Sequence, residues 1–319
     1  MTENVREPST VVITGASGMV GRALSRSLQQ DGVRVVRLVR GRGEVGADAR
    51  FWAPGDGVLD PAHLADADAV VHLAGANIGD KRWTAAVKRD VLESRVQGTR
   101  LIAQTLAGMT GARPAALISA SAVGYYGDTG ARTVDEGGPL GTGFLAEVCE
   151  AWEGALAPAR DAGVRVAVAR LGVILDGQGG ALSKLGVGGV VGSGMITPFK
   201  LGVGGVVGSG RQGFPWVSLH DVVRAFRFLL AHPELRGPFN VVGPELLDNA
   251  GFTRTLGAFL HRPTVLPLPG FLARAGLGGE MATELLLQGQ LVTPTALLDA
   301  GFVFDDAELR AALTRALAK

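Results

Sequence analysis

The sequence predicts an α/β fold, a doubly wound parallel sheet with a smaller, mostly helical C-terminal lobe, and three observations carry that prediction. Apolar Val/Ile/Leu runs recur along the first half of the chain, at 11–14, 33–39, 68–75, 115–121 and 164–175, with helix-period segments between them. The runs lack polar alternation, as expected for strands buried on both faces and therefore for a parallel sheet covered by helices. The first run breaks into Thr14-Gly15-Ala16-Ser17-Gly18-Met19-Val20-Gly21 and leads into an amphipathic helix over 22–30, the order of a strand-turn-helix unit.

That turn has the spacing of a Rossmann-type dinucleotide-binding loop. Gly15 lets the chain turn sharply off the strand, Gly18 lets backbone approach a pyrophosphate, and Gly21 lets the helix pack closely on the sheet. Ser17, Met19 and Val20 complete the expected cofactor contacts, with phosphate oxygens at the helix N-terminus. The second strand, 33–39, ends at Arg40, where an acidic residue would accept from a ribose 2′-OH and an arginine suits a 2′-phosphate, so NADP is expected over NAD, with Arg42 assisting. A short third strand falls near Phe51-Trp52. The runs at 68–75 and 115–121 end in His72-Leu73-Ala74-Gly75 and Ser119-Ala120-Ser121. Ligands bind beyond the carboxyl ends of such strands, which assigns Leu73, Ala74 and Gly75 to the cofactor crevice. Beyond about residue 176 the pattern changes to Gly-rich loops, the segment WVSLHDVVRAFRFLLAHPE and a helical region from 249 onward. The expected division is therefore an NADP-binding domain over 1–175, its sheet completed by strands from beyond 175, and a substrate lobe over 176–319.

Bulk properties narrow the function. Of 319 residues 47% are hydrophobic, enough for a large core, and 31 basic residues balance 30 acidic ones. Such a balance leaves no electrostatic footprint for nucleic acid or an anionic membrane. The opening MTENVREPST has no apolar targeting core, and Pro198 and Lys200 interrupt the most apolar Gly-rich tract. A soluble, cytoplasmic monomer or homodimer acting on a small molecule is expected. The single cysteine, Cys149, excludes an internal disulfide, and the five histidines show no metal-ligand spacing, so no metal is expected. KLGVGGVVGSG occurs at 184–194 and again at 200–210. Two copies do not make a solenoid, and one is expected to be a surface insertion.

Several segments in order make the chain similar to the atypical, extended short-chain dehydrogenases/reductases of the epimerase-like branch: TGASGMVG, HLAG, ESRVQGT at 93–99, ISASAVGYYGD at 118–128, WVSLHDVV at 216–223 and ELLLQGQLVTPTALLDAGFVF at 284–304. The resemblance implies a Ser, a Tyr-x-x-x-Lys pair and a helix Asn at the reacting centre, the Tyr acting as general acid/base. Ser121 fits the serine. Where the Tyr and Lys are expected, this chain has Leu145 and Cys149, or Phe144 and Val148 with the register shifted by one, and Arg95 stands at the asparagine position. The usual proton relay is absent, a departure that resembles the atypical branch.

Three groups remain as proton donors: Cys149, with a thiol that Arg95 would draw toward neutrality, the neighbouring phenols Tyr125 and Tyr126, and water. The candidate catalytic residues are thus Ser121, Cys149 and Tyr125. Arg95 is expected to meet the cofactor phosphate or the substrate, while Arg211 resembles a substrate-lobe arginine that grips anions, beside Trp216. His220 and Asp221 are read as a structural turn into a helix, with Asp221 near its N-cap. These features describe an NADP(H)-binding oxidoreductase on a small carbonyl or alcohol. The alternatives are a cofactor-binding regulatory or scaffold protein and a nucleotide-sugar epimerase-like enzyme.

Overall fold

The computed structural model describes residues 8–177 and 196–317. Its strands are β1 (Thr10–Thr14), β2 (Arg34–Val39), β3 (Ala49–Ala53), β4 (Val58–Leu59), β5 (Ala69–His72), β6 (Ala116–Ala122), β7 (Thr133–Val134), β8 (Arg165–Leu171), β9 (Val173–Leu175), β10 (Trp216–Ser218), β11 (Gly237–Val241) and β12 (Leu291–Val292). Eight of them form one sheet in the order β11-β8-β6-β5-β1-β2-β3-β4. All neighbours are parallel except β3 and β4. The chain builds outward from β1 to β2 and β3, then returns to the other side of β1 for β5, so the order reverses between β1 and β5. A crevice opens at such a switch point.

Successive side chains of each strand enter opposite faces, and both faces are dry. On one face Val11, Ile13, Val71 and Ile118 pack with Leu24 of α1 (Met19–Gln30) and Phe226 of the helix Leu219–Ala231. On the other, Val12, Val36, Val70 and Leu117 pack with Ile102 and Leu106 of α2 (Ala85–Gly108) and Leu156 beside the short helix Ala157–Asp161. Each such fully buried aliphatic side chain contributes about 1.5–3 kcal/mol, which is why unbroken apolar runs form these strands. β11 comes from beyond residue 175 and pairs with β8, so the C-terminal half supplies an edge of the main sheet.

Two local readings change, the run 164–175 and the start of the first helix, while Asp221 lies near the helix N-cap as expected. The run 164–175 is two strands in two sheets, because the chain leaves β8 at Gly172 to pair β9 with β10. A Cβ at Gly172 would lie 2.3 Å from the Pro215 carbonyl oxygen, so that backbone crossing requires glycine. The helix after the glycine turn begins at Met19 with Gly18 as its cap. For the helix Leu219–Ala231 the cap is Ser218, whose Oγ accepts from the Asp221 N–H at 3.1 Å, while Asp221 sits in the first turn.

The second copy of the repeated sequence is knitted into the lobe. Gly205 bridges Val265 and Val207 bridges Leu268, and Gly208 N–H donates to the Leu268 carbonyl at 2.9 Å. The first copy, 184–194, lies outside the described residues. Among the described residues no helix is long and apolar enough to cross a membrane. Also among the described residues, one group, His220, Asp221 and Asp305, has ligand atoms close enough for a metal. Its oxygens already serve Arg224, the N–H groups of Asp305 and Asp306, and His220, which makes it a structural network.

Candidate functional site

A cleft of about 760 Å³ lies above the carboxyl ends of β1, β5, β6 and β8 and beneath the C-terminal lobe, within the usual range for a small-molecule site. The glycine turn forms one end, through Ser17, Gly18 and Met19. One wall is α3 (Phe144–Gly154), which presents Leu145, Val148, Cys149 and Trp152. Glu284, from the far end of the chain, fixes that wall by accepting the N–H groups of Phe144 at 2.9 Å and Leu145 at 2.8 Å at the start of α3. A carboxylate there also complements the helix dipole.

The turn is shaped by close backbone packing. Gly15 has φ +66°, and a Cβ there would lie 2.8 Å from the Leu73 carbonyl. At Gly21 a Cβ would lie 2.2 Å from the Gly15 oxygen, so the helix rests directly on the turn. Thr14 Oγ1 accepts from the N–H groups of Leu73 at 3.0 Å and Ala74 at 3.2 Å, and therefore donates its own proton to His72 Nδ1 at 2.7 Å. His72 is fully buried against the edge of Trp52, and burial pushes its pKa down to about 3, leaving a neutral ring protonated at Nε2. Leu73 and Ala74 thus shape Gly15 through their backbones. Beyond them the lining continues through Asn77, Ile78, Gly79 and Asp80. Arg22, exposed at the first turn of α1, donates to the Ser17 carbonyl and borders the cleft. Arg40 is exposed at the end of β2, and the Arg42 guanidinium stacks on Phe51 at 4.2 Å. Val20 lies partly buried on α1, packed against the core rather than lining the cleft. Gly75 sits beneath the Arg95 side chain, where a Cβ would meet it at 3.4 Å.

Of the three catalytic candidates, Cys149 alone borders the cleft. Its thiol donates to the Ala122 carbonyl at 3.5 Å, and burial, reinforced by the Glu153 carboxylate, pushes its pKa up to about 11. The expected pull toward neutrality by Arg95 is outweighed. Ser121 is buried at the end of β6 and donates to Glu153 Oε1 at 2.7 Å. Glu153 in turn accepts two bonds from the Arg170 guanidinium, each 2.9 Å, and Arg170 also donates to the Tyr126 hydroxyl at 2.9 Å. The Tyr126 hydroxyl donates to Asn240 Oδ1 at 2.8 Å. Tyr125 is covered by the Arg170 guanidinium, 3.5 Å above its ring, outside the cleft lining. Sequence reasoning missed Glu153 and Arg170. The available signal was Arg170 itself, a charge inside an apolar strand run, which demands a buried partner.

Arg95 borders the cleft from α2, with Nη1 donating to the Ala76 and Val91 carbonyls at 3.0 and 3.1 Å and its guanidinium 5.1 Å from the Trp152 ring centre. Burial lowers its pKa, which the neighbouring Cys149 partly offsets. The two substrate-lobe candidates lie elsewhere. Arg211 is exposed and outside the cleft lining, which its neighbours Gln212, Gly213 and Phe214 enter instead. Trp216 is 1% exposed and donates Nε1 to the Glu245 carbonyl at 3.1 Å, a core residue on a strand buried by the C-terminal helices.

The geometry has counterparts among known proteins. A family described as NAD dependent epimerase/dehydratase matches residues 11–243, and a domain of unknown function matches 268–316. An epimerase family protein of Mycobacterium bovis is 43% identical over 302 residues, covering 93% of each chain. The Bos taurus epimerase family protein SDR39U1 is 35% identical over 318 residues, covering 97% of this chain and 99% of its own. Human SDR39U1 (isoform 2), crystallised with NADPH, superposes with a TM-score of 0.83 at 32% identity, covering 96% of this chain and 98% of its own. Matched over most of its length by the family model and by these relatives, the chain belongs to the NAD dependent epimerase/dehydratase family.

Proposed function

We propose that this protein binds NADP(H) in the cleft and is an oxidoreductase acting on a small carbonyl or alcohol. The observation that carries the reading is the glycine turn. Gly15 and Gly21 pack so closely that neither admits a Cβ, and the turn delivers Ser17, Gly18 and the uncapped N-terminus of α1 to the cleft. Free N–H groups at such a terminus suit a pyrophosphate. Arg40 and Arg42 follow β2, where a 2′-phosphate would lie, and the human relative was crystallised with NADPH. When bound, the cofactor supplies a hydride to a carbonyl carbon or removes one from an alcohol. The chain's part is to hold both molecules, exclude water and supply the proton that the new alkoxide takes up. Cys149, protonated at neutral pH and bordering the cleft, is the side chain suited to that donation, with water as the other source. Arg95 contributes a fixed cation beside it, and the division of labour follows the proposed 1–175 and 176–319 halves.

A second reading has support of its own. Ser121 is engaged by Glu153 and the thiol is a weak acid bonded to the Ala122 carbonyl, so the polar groups near the expected reacting centre are arranged as a structural network. In that reading the protein binds NADP(H) as a structural or sensing ligand without turnover. Calorimetry with NADPH and NADH tests the shared part. NADPH is expected to bind at least tenfold tighter, and Arg40→Asp to erase that preference. Equal affinities for the two cofactors in the unmutated protein would overturn the reading. Consumption of NADPH with a panel of carbonyl compounds then separates enzyme from sensor.

A further inference from the structure

The cleft has two chemically different ends. Its charged lining residues among the described residues are Arg22, Asp80, Arg95 and Glu284. Arg22 is bonded to the Ser17 carbonyl at the glycine turn, and Arg95 stands beside the α3 wall near Trp152 and Cys149, held by the Ala76 and Val91 carbonyls. The end formed by the C-terminal lobe presents Phe199, Val207, Phe214, Phe252, Leu285 and Leu286. Phe214 packs on the buried ring of Phe252 with ring centres 4.1 Å apart, so the accessible apolar surface at this end is that of Phe214, Val207, Leu285 and Leu286. The described residues of this lobe place no lysine or arginine in the lining. The one charge it contributes, Glu284, is negative and already accepts two N–H groups of α3.

The polar side chains at this end are largely committed as well. Gln212 donates to the Val207 and Leu286 carbonyls at 2.9 and 2.8 Å, Asn249 accepts from Val207 N–H at 2.9 Å, and Gln290 donates to the Gly127 carbonyl at 2.7 Å. A diphosphate placed here would be desolvated against Phe214 and aliphatic side chains beside a carboxylate, with no cation among the lobe's described lining residues to balance it, a heavy penalty for a buried charge. An apolar molecule would gain about 25 cal/mol for each Å² of surface it buries.

From this, and resting on the proposal that NADP(H) takes the glycine-turn end, we infer that the second ligand is an uncharged, largely apolar carbonyl compound or alcohol and not a sugar nucleotide. The aromatic and aliphatic surface holds its hydrocarbon body, and its oxygen faces the α3 wall that carries Cys149. Calorimetric titration decides the matter, with 4-phenyl-2-butanone and cyclohexyl methyl ketone as apolar probes and UDP-glucose as the charged one, each against NADPH-loaded and unloaded protein. At least one ketone is expected to bind, Phe214→Gln to weaken it tenfold or more, and UDP-glucose to give no binding at millimolar concentration. Leu286→Gln, on a separate segment of the same surface, provides a second variant if Phe214→Gln loses cooperative unfolding. Tighter binding of UDP-glucose than of either ketone, ketone binding that neither variant weakens, or no binding of any probe would overturn the inference. A failure of NADPH to bind would remove the proposed function, while the titrations of unloaded protein would still decide which class of ligand the lobe takes.

Discussion

Two charged neighbours act in opposite directions on the Cys149 thiol, the Arg95 guanidinium and the Glu153 carboxylate. A guanidinium nearby favours the thiolate, and Arg95 is in position to do so. Yet the thiol is 3% exposed and shares its surroundings with Glu153, so desolvation and the carboxylate win and the pKa rises to about 11. At pH 7.5 its thiolate fraction should then be roughly a hundredfold or more below that of free cysteine, whose pKa is about 8.5. Iodoacetamide labelling followed by mass spectrometry checks this. Cys149 is expected to react far more slowly than a free thiol at pH 7.5, with a rate that climbs about tenfold per pH unit through pH 9. Labelling faster than free cysteine near neutrality would refute the elevated pKa and restore the activated-thiol reading. The place of Ser121 at the end of β6 follows from the chain's pattern, but its partner Glu153 lies 32 residues away on another element.

At the scale of elements, the ends of β1 and β5 are clamped together by Thr14 and His72, and through them the glycine turn is held in shape. His72 carries a pH signature. Its pKa is about 3 in the folded protein against an ordinary value of 6.5. Between these values the unfolded chain binds a proton that the folded chain refuses, so stability falls as pH drops from 6.5 toward 3, by at most about 1.4 kcal/mol per pH unit. Above pH 6.5 the effect vanishes. Urea denaturation at pH 7.5 and pH 5.0 isolates it when the protein is compared with His72→Gln, whose amide oxygen still accepts from Thr14 and whose side chain does not titrate. The unmutated protein is expected to lose about 2 kcal/mol more than the variant over that interval. The same acid loss in both proteins would mean that other groups set the dependence.

For the whole molecule, the C-terminal half both completes the main sheet, through β11, and roofs the cleft. The duplicated segment is to be judged in that setting. The copy at 200–210 already makes the bridges to Val265 and Leu268 and receives Gln212 and Asn249, so the lobe does not need a second set. Deleting 185–194 joins Lys184 to Met195 and is expected to leave cooperative unfolding intact and NADPH affinity unchanged, since surface insertions cost little closure entropy. Thermal denaturation and calorimetry on the deletion variant check both. Loss of a cooperative transition would assign the first copy to the core.

Side-chain period, glycine spacing and strand-end residues act over a few neighbours, and these local rules determined the parallel sheet, the turn at 14–21 and the carboxyl-end position of the cleft. Arg170 carried a readable warning too, because a guanidinium in a buried strand cannot stay unpaired. What the tertiary structure alone decided was the direction and company of polar side chains. Trp216 became core, Arg211 fell outside the cleft lining, Gly172 split one apolar run into two strands, and Glu284 reached back 140 residues to cap α3. Each outcome depends on which distant backbone comes close enough to exclude a Cβ, bury a ring or offer an N–H, and chain proximity carries no information about such long-range meetings.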